Sequence, residues 1–359
     1  MSTQVTITFK RSFLVVLFII IAIQLYAFSL PIQSSGKVDK SVMVMYLKDS
    51  IPVNIDLLYS KDTVPEYYYA YVETPVCEEG LCYDLKVHLY WNVLGDFVKY
   101  EEVKSDPFTK FDHKLFSKED HLKLIEILND KTSPLANYEA KDLIDKTDTI
   151  FSLKVDAVTG ATSPALKNSV VSGAVYSTHI LWNIVNGKIA DSIKMYTEAN
   201  LINSGLLETM IYSNDYHLQM YGLRHVDASN KNYPEYVLRL VEFGKSYVPY
   251  FAIDKITADM WNTLRIQEHM IASLEAFNFE MQNETLNRLE NVKLISGNTT
   301  KLLNQLKFLN TSQYNQLTKI IKYNASSLSK SDKAYLLKLS KDESNSFASF
   351  ATNILSYTK

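Results

Sequence analysis

One segment of the chain combines an acidic residue, hydroxyl groups and small residues at a spacing that suits phosphate chemistry. It reads Asp156-Ala157-Val158-Thr159-Gly160-Ala161-Thr162, and Ser163-Pro164 follows directly. A hydroxyl group can take a phosphate in ester linkage when its side chain is exposed and its neighbours are small, and Gly160 and Ala161 leave that space. The residue types of this segment are therefore compatible with a phosphate-bearing group esterified to one of its hydroxyl groups.

The elements that must position this hydroxyl group are a strand before it and a helix after it. The patterns predict a strand over 150–155 and a long helix over 165–185. Pro164 suits a first helical turn, where unpaired N–H groups stabilise a phosphate. Asp156 would repel a phosphate, so we expect it to brace the turn by accepting backbone N–H bonds. A structural interpretation also stays open, in which Thr162 or Ser163 only caps the helix.

The segment resembles the flavin-attachment sequence of the FMN-binding domain family, which reads Asp, two free positions, Ser or Thr, Gly, Ala, Thr. All five specified positions match, at Asp156, Thr159, Gly160, Ala161 and Thr162. The resemblance implies that Thr162 carries FMN through a phosphoester bond made by a separate flavin transferase, and that Ser163 and the other motif residues lie at the cofactor. It further implies an electron carrier that exchanges electrons with other redox proteins, and leaves turnover of a small substrate open.

The resemblance covers the seven-residue motif and the hairpin before it, but not the C-terminal 170 residues. Just after the motif, Tyr176, His179 and Trp182 fall at i, i+3 and i+6 on one face of the predicted helix. Such a row of side chains could lie against an isoalloxazine ring or pack in the core, and the sequence leaves both interpretations open.

The N-terminus has the layout of an export signal. Lys10 and Arg11 precede an apolar run over 13–30, and Ala27 and Ser29 have the spacing of a signal-peptidase site. Residues 1–29 are therefore predicted to be a cleaved signal peptide or an uncleaved anchor, since 18 helical residues extend about 27 Å. Either alternative places residues 40–359 outside the cytoplasm, with contact to a membrane only through an uncleaved leader.

Residues 40–190 are predicted to form an FMN-binding-like α+β domain. Three runs rich in aromatic and β-branched residues, 66–73, 83–91 and 97–103, predict strands, and the last two should pair as a hairpin. Ser117 with Asp120 three positions later predicts the start of a helix. The stripe expected to face the core on this helix consists of Leu122, Ile125 and Leu128.

Residues 191–359 are predicted to form an all-α domain of helical-hairpin repeats. Five similar runs begin near Leu206, Tyr236, Met270, Leu302 and Tyr335, at intervals of about 30 to 34 residues, the spacing of stacked helical hairpins. The runs resemble degenerate HEAT-like repeats, and a plain helical bundle is the alternative.

Composition excludes several other classes of protein. The net charge is -3, and the chain has no basic excess of the kind that nucleic-acid binding requires. No His or Cys falls in a metal-ligand spacing. We therefore expect the chain to bind neither a nucleic acid nor a metal ion. Cys77 and Cys82 are expected to close a small disulfide loop, with a redox-active pair or free thiols as alternatives. Two functions stay open: an exported flavoprotein with FMN on Thr162, or a helical scaffold that binds a protein partner without a cofactor.

Overall fold

The computed structural model describes residues 37–47, 50–76, 84–110, 113–150, 159–295 and 297–357. The predicted leader over 1–29, Cys77, Cys82 and Asp156 lie outside these ranges. The chain divides into two compact units, and the division falls between Ile202 and Asn203. The sequence had placed the domain boundary after residue 190.

The first unit contains a five-stranded antiparallel sheet in which each strand pairs with the next one in the chain. The strands are β1 (Val38–Tyr46), β2 (Pro52–Tyr59), β3 (Pro65–Thr74), β4 (Leu85–Asn92) and β5 (Phe97–Glu102). The three predicted strands correspond to β3, β4 and β5, and the predicted hairpin of β4 with β5 is confirmed. Strands β1 and β2 were not predicted.

One face of the sheet is the core of the first unit. Tyr68 and Val72 on β3 and Leu89 and Trp91 on β4 lie on this face, and all four are fully buried. Two consecutive helices, α2 (Val175–Asn186) and α3 (Lys188–Asn200), bond to this face. The indole N–H of Trp91 donates to the carbonyl of Val185 at 2.9 Å, and the Tyr68 hydroxyl bonds the Thr197 hydroxyl at 2.9 Å. Because both bonds are buried, they fix the helices against the sheet.

Helix α1 (Lys118–Asn129) begins as predicted, with Ser117 and Asp120 in a reciprocal capping box. The predicted core stripe on this helix is wrong in part. The buried side chains are Leu124, Ile127 and Leu128, whereas Leu122 is 44% exposed. Several apolar side chains follow one another in this helix, so spacing alone did not determine which of two adjacent faces is buried.

The turn between β4 and β5 carries a prediction about stability. Gly95 has a positive φ of 78°, and a Cβ atom at this position would lie 2.3 Å from the Ala190 carbonyl oxygen of α3. We expect Gly95→Ala to destabilise the first unit by more than about 2 kcal/mol, since backbone strain adds to a clash with a main-chain atom. Urea unfolding measures the effect. Gly205→Ala, in a helix where the nearest atom is a side-chain oxygen at 3.3 Å, is the matched control and should stay within about 1 kcal/mol of wild type.

All regular elements among the described residues of the second unit are helices. Its helices are α4 (Ser204–Tyr212), α5 (Tyr216–His225), α6 (Tyr233–Phe243), α7 (Val248–Ile253), α8 (Ala258–Trp261), α9 (Leu264–Ala272), α10 (Phe279–Leu289), α11 (Asn298–Asn304), α12 (Tyr314–Tyr323), α13 (Lys330–Ser340) and α14 (Ala348–Ser356). Each of the five predicted runs begins inside the first helix of a consecutive pair. The expected order, an α+β region followed by an all-α region, is confirmed at this level.

Buried amide side chains hold successive helix pairs together. Gln267 on α9 is completely buried, and its Nε2 donates to the carbonyls of Trp261 and Lys293, each at 3.0 Å. Its Oε1 accepts from the Ile295 amide at 2.8 Å and from Asn298 Nδ2 at 3.0 Å. One side chain therefore satisfies four polar groups, three of which belong to the segment leading into the next helix pair.

The same arrangement recurs along the unit. Gln282 Nε2 donates to the carbonyls of Leu274 and Phe308, and Asn324 accepts from the Leu294 amide while donating to the Val292 carbonyl. Each of these bonds except that to Leu274 joins segments 26 to 32 residues apart. Since buried polar groups must be paired, these amides fix the register between neighbouring helix pairs.

Candidate functional site

The predicted attachment segment lies in a two-stranded hairpin that is separate from the main sheet. Strand β7 (Thr159–Thr162) pairs antiparallel with β6 (Ile144–Ile150), and Thr162 is opposite Ile144. The backbone of Thr159, Gly160, Ala161 and Thr162 is therefore in a strand, where the sequence analysis expected a turn. Of the predicted strand over 150–155, only Ile150 lies among the described residues, as the last residue of β6.

Thr162 ends its strand with a hydroxyl group available for chemistry. Its side chain is half-buried, and its hydroxyl makes no hydrogen bond to another described residue. The next amide, that of Ser163, donates to the carbonyl of Leu143 at 3.0 Å, so the backbone immediately after Thr162 is fixed. Pro164 and Ala165, which follow, are exposed. Thr162 is therefore followed by a fixed backbone and by two exposed residues.

The long helix predicted over 165–185 is wrong at its beginning. Pro164–Leu166 form a single 3-10 turn, and α2 begins only at Val175. Between them Gly173 takes a positive φ of 78°, a conformation that interrupts an α-helix. The phosphate-stabilising helix end expected at Pro164 is therefore reduced to one short turn, whose dipole is small. The side chain of Ser163 makes no capping hydrogen bond to this turn.

The row of Tyr176, His179 and Trp182 on α2 includes two side chains that pack within the first unit. Trp182 Nε1 donates to the carbonyl of Asp130 at 2.9 Å, and His179 Nε2 bonds the carbonyl of Tyr138 at 2.7 Å. Both side chains are more than nine-tenths buried. Of the two interpretations that the sequence left open, His179 and Trp182 follow core packing, because each is buried and bonds a backbone carbonyl after α1 through one ring nitrogen.

The buried imidazole of His179 gives the first unit a pH dependence. A carbonyl oxygen only accepts, so Nε2 carries the proton, and the buried Nδ1 has no hydrogen-bond partner among the described residues. A second proton would place an unpaired charge there, and burial accordingly lowers the pKa of His179 below its usual value of 6.5. The unfolded chain takes up this proton near pH 6.5, whereas the folded chain does not.

The contribution of neutral His179 to the free energy of unfolding is therefore fully present above about pH 6.5. It is lost as the pH falls toward the lowered pKa of His179. We expect the free energy of unfolding of the wild type to decrease by up to about 1.4 kcal/mol per pH unit in this range from His179 alone. Urea unfolding at several pH values, compared between wild type and His179→Asn, measures this contribution. His225→Asn, at an exposed histidine, is the matched control. If the free energy of unfolding depended on pH as strongly in His179→Asn as in the wild type, His179 would not be the source of the pH dependence.

A second cluster of titratable side chains, on the other face of the main sheet, was not predicted. The Tyr69 hydroxyl bonds His88 Nδ1 at 2.7 Å, and the two rings stack. Lys99 is almost fully buried, pairs with Glu101 and lies over the Tyr90 ring at 4.8 Å. These side chains therefore provide hydrogen-bond and charge partners for one another across neighbouring strands. The alternation of β3, β4 and β5 contained the signal, since every second residue there is polar or aromatic.

Two further predictions have no structural outcome. The disulfide expected between Cys77 and Cys82 and the bracing role expected of Asp156 both fall outside the described residues. Among the residues that the structure does describe, no helix has the length and apolar character needed to cross a membrane.

Comparisons with other proteins find no match. No protein-family model matches the chain, and neither a curated protein nor a solved structure is similar to it.

Proposed function

We propose that this protein is an exported flavoprotein that carries FMN in phosphoester linkage on Thr162 and takes part in electron transfer outside the cytoplasm. The observation that carries the proposal is the state of the Thr162 hydroxyl. It stands at the end of β7 with no hydrogen bond to another described residue, beside backbone that the bond from Ser163 to Leu143 holds in place. A complete five-position match to the attachment motif falls on this one hydroxyl.

The surroundings of Thr162 suit attachment by a separate enzyme. A transferase must bring a bulky flavin nucleotide to the hydroxyl, and the exposed Pro164 and Ala165 leave one side of the segment open. When bound, FMN supplies one- and two-electron transfer, and the protein supplies position and surroundings. The hairpin of β6 and β7 would determine where the flavin is attached. The hydrogen bond from the Ser163 N–H to the Leu143 carbonyl fixes the direction in which the chain continues after Thr162.

The finer fold assignments belong to the same proposal. Residues 40–190 would form an FMN-binding-like domain, and the paired helices after it would form HEAT-like repeats that serve as a docking platform for redox partners. Residues 1–29 would direct both units out of the cytoplasm, as a cleaved signal peptide or an anchor. A flavin transferase would be needed for maturation, and the chain would act as an electron carrier.

A second candidate function, a scaffold without cofactor, is favoured by the surface of the second unit. Phe243 and Tyr247 flank the turn between α6 and α7 and are 57% and 75% exposed. Arg239 lies over the rings of both Tyr212 and Phe243, which belong to neighbouring helix pairs. Exposed aromatic side chains beside Arg are typical of protein-binding surfaces.

The visible spectrum of the unfolded protein separates the two functions. The chain is exported from a host that also produces a flavin transferase, and is then unfolded and acid-precipitated. The flavoprotein predicts yellow colour that stays with the polypeptide, at about one flavin per chain. A colourless chain, with the transferase active on a control substrate, would contradict it and leave the scaffold.

A further inference from the structure

Positive charge is concentrated in the last two helix pairs of the second unit. Residues 291–357 contain nine Lys and three acidic residues, whereas residues 203–290 contain seven Lys or Arg and twelve acidic residues. The chain as a whole is slightly acidic. The excess therefore belongs to one end of the helical unit and not to the protein in general.

Within this end, α13 carries four Lys on one side. Lys330, Lys333, Lys338 and Lys341 follow at i, i+3, i+8 and i+11, and all four are exposed. Leu337 lies among them and is 49% exposed. We call this surface, with Ala334, the lysine face of α13. The opposite side of the helix is buried, through Asp332, Leu336 and Leu339.

The one acidic residue within α13 is not on this face. Asp332 is buried on the other side of α13, where it accepts from the Ser329 amide and from the Thr300 hydroxyl, both at 2.8 Å. Asp342 and Glu343 follow the helix in the next turn, and Asp342 accepts from Ser344. The exposed side of α13 therefore carries Lys side chains and no carboxylate, and Lys330, Lys338 and Lys341 form no ion pair with another described residue.

Exposed tyrosines accompany the basic charge in the same part of the unit. Lys322 lies over the ring of Tyr357 at 4.3 Å, and Lys293 lies over the ring of Tyr323 at 5.9 Å. Tyr323 and Tyr357 are both about half exposed. Tyr is enriched where proteins meet the headgroup region of a bilayer, since its ring is apolar and its hydroxyl is polar.

We propose that the lysine face of α13 docks onto the anionic headgroups of a phospholipid bilayer. Charge complementarity is the main argument, because Lys clusters on a helix bind anionic lipid through each charge near the surface. Leu337 adds an apolar side chain at the centre of the face, as in helices that lie in the plane of a membrane interface. A single exposed helix face also lacks the groove that a bound peptide needs. The proposal does not depend on the flavin.

A second copy of the chain is the competing occupant, because its acidic residues over 203–290 would also complement the lysine face. An interface of that kind joins different surfaces of two copies and would produce open-ended assemblies. The exposed Leu337 favours the bilayer, since an interface of acidic side chains offers it no apolar partner.

Vesicle binding by the full chain tests the proposal. Flotation is compared between vesicles of phosphatidylcholine and vesicles with equimolar phosphatidylglycerol, at low and high salt. We expect binding that requires phosphatidylglycerol and weakens with salt. The Lys330→Gln/Lys338→Gln/Lys341→Gln variant should bind about one hundredfold more weakly, since one Lys near an anionic surface contributes about fivefold. The matched control, Lys194→Gln/Lys231→Gln/Lys245→Gln, changes the net charge equally and should bind like wild type.

Every variant contains the predicted leader, which could itself bind vesicles. The test therefore compares binding between the two lipid compositions and between the variants. If the leader inserts and all chains float equally, hydrogen exchange decides. Exchange over 330–341 should then slow with phosphatidylglycerol in the wild type but not in the α13 variant. Equal binding to both lipids with no change in exchange, or equal losses in the two triple variants, would overturn the proposal. Assembly of the chain without vesicles that the α13 variant abolishes would also overturn it, in favour of a second copy.

Discussion

The Thr162→Val chain, exported beside a flavin transferase, will carry no covalent flavin. Valine keeps the shape and β-branching of threonine but has no hydroxyl group to esterify. We therefore expect at least a hundredfold decrease in flavin per chain, measured by absorbance of the unfolded, precipitated protein. The fold should be unchanged, because the Thr162 hydroxyl makes no hydrogen bond to another described residue. Circular dichroism and urea unfolding check this second expectation.

The neighbouring hydroxyl provides the control for position. Ser163 directly follows Thr162, is also partly exposed, and makes no capping hydrogen bond. Ser163→Ala should keep about one flavin per chain. If flavin were lost in Ser163→Ala and kept in Thr162→Val, the attachment point would be Ser163, and the match to the motif would have misidentified the acceptor.

Gln267→Ala will destabilise the second unit by about 3 to 5 kcal/mol. The substitution removes both ends of a fully buried amide and leaves the carbonyls of Trp261 and Lys293, the Ile295 amide and Asn298 Nδ2 without this partner. A buried polar group without a partner costs about 1 to 3 kcal/mol, and the cavity adds to this. Urea unfolding, with hydrogen exchange read over α9 and α11, measures the loss and where it falls.

A glutamine at the surface is the matched control for Gln267. Gln316 on α12 donates to Asn287 Oδ1 at 2.6 Å, so it also joins neighbouring helix pairs, but the bond is exposed. Gln316→Ala should cost less than about 1 kcal/mol, because water replaces the lost partner. Equal decreases in the free energy of unfolding of Gln267→Ala and Gln316→Ala would show that burial of the amide does not account for its stabilising effect.

The sequence predicted those strands and helix ends that depend on residues close together in the chain. The strands β3 to β5 are rich in aromatic and β-branched residues, β3 also alternates between buried and more exposed residues, and the Ser117 capping box needs only two residues three positions apart, so both were found in the sequence. Strand β2 alternates in the same way, with Val53, Ile55 and Leu57 buried on one face, and could have been predicted. Strand β1 could not, because its exposed edge position leaves no clear apolar alternation.

The helix after the motif and the buried amides show what local patterns miss. The apolar spacing over 165–185 favoured one helix, but Gly173 takes a left-handed conformation and Val170 and Val171 are buried outside any helix. Gln267 was not predicted because a glutamine in an amphipathic helix looks like a surface residue. Three of its four hydrogen-bond partners, Lys293, Ile295 and Asn298, are distant in sequence. At the candidate site, the motif predicts the Thr162 hydroxyl as acceptor, and the structure adds that Thr162 is the last residue of a strand.

Mass spectrometry of one peptide tests the central claim most directly. Trypsin cleaves after Lys154 and Lys167, so the peptide 155–167 contains Thr159, Thr162 and Ser163 together. For the chain matured with a flavin transferase, the account predicts that this peptide gains the mass of FMN less one water, as an ester requires. Fragmentation should place the added mass on Thr162. The same peptide at its plain mass, with the transferase active on a control substrate, would contradict the account.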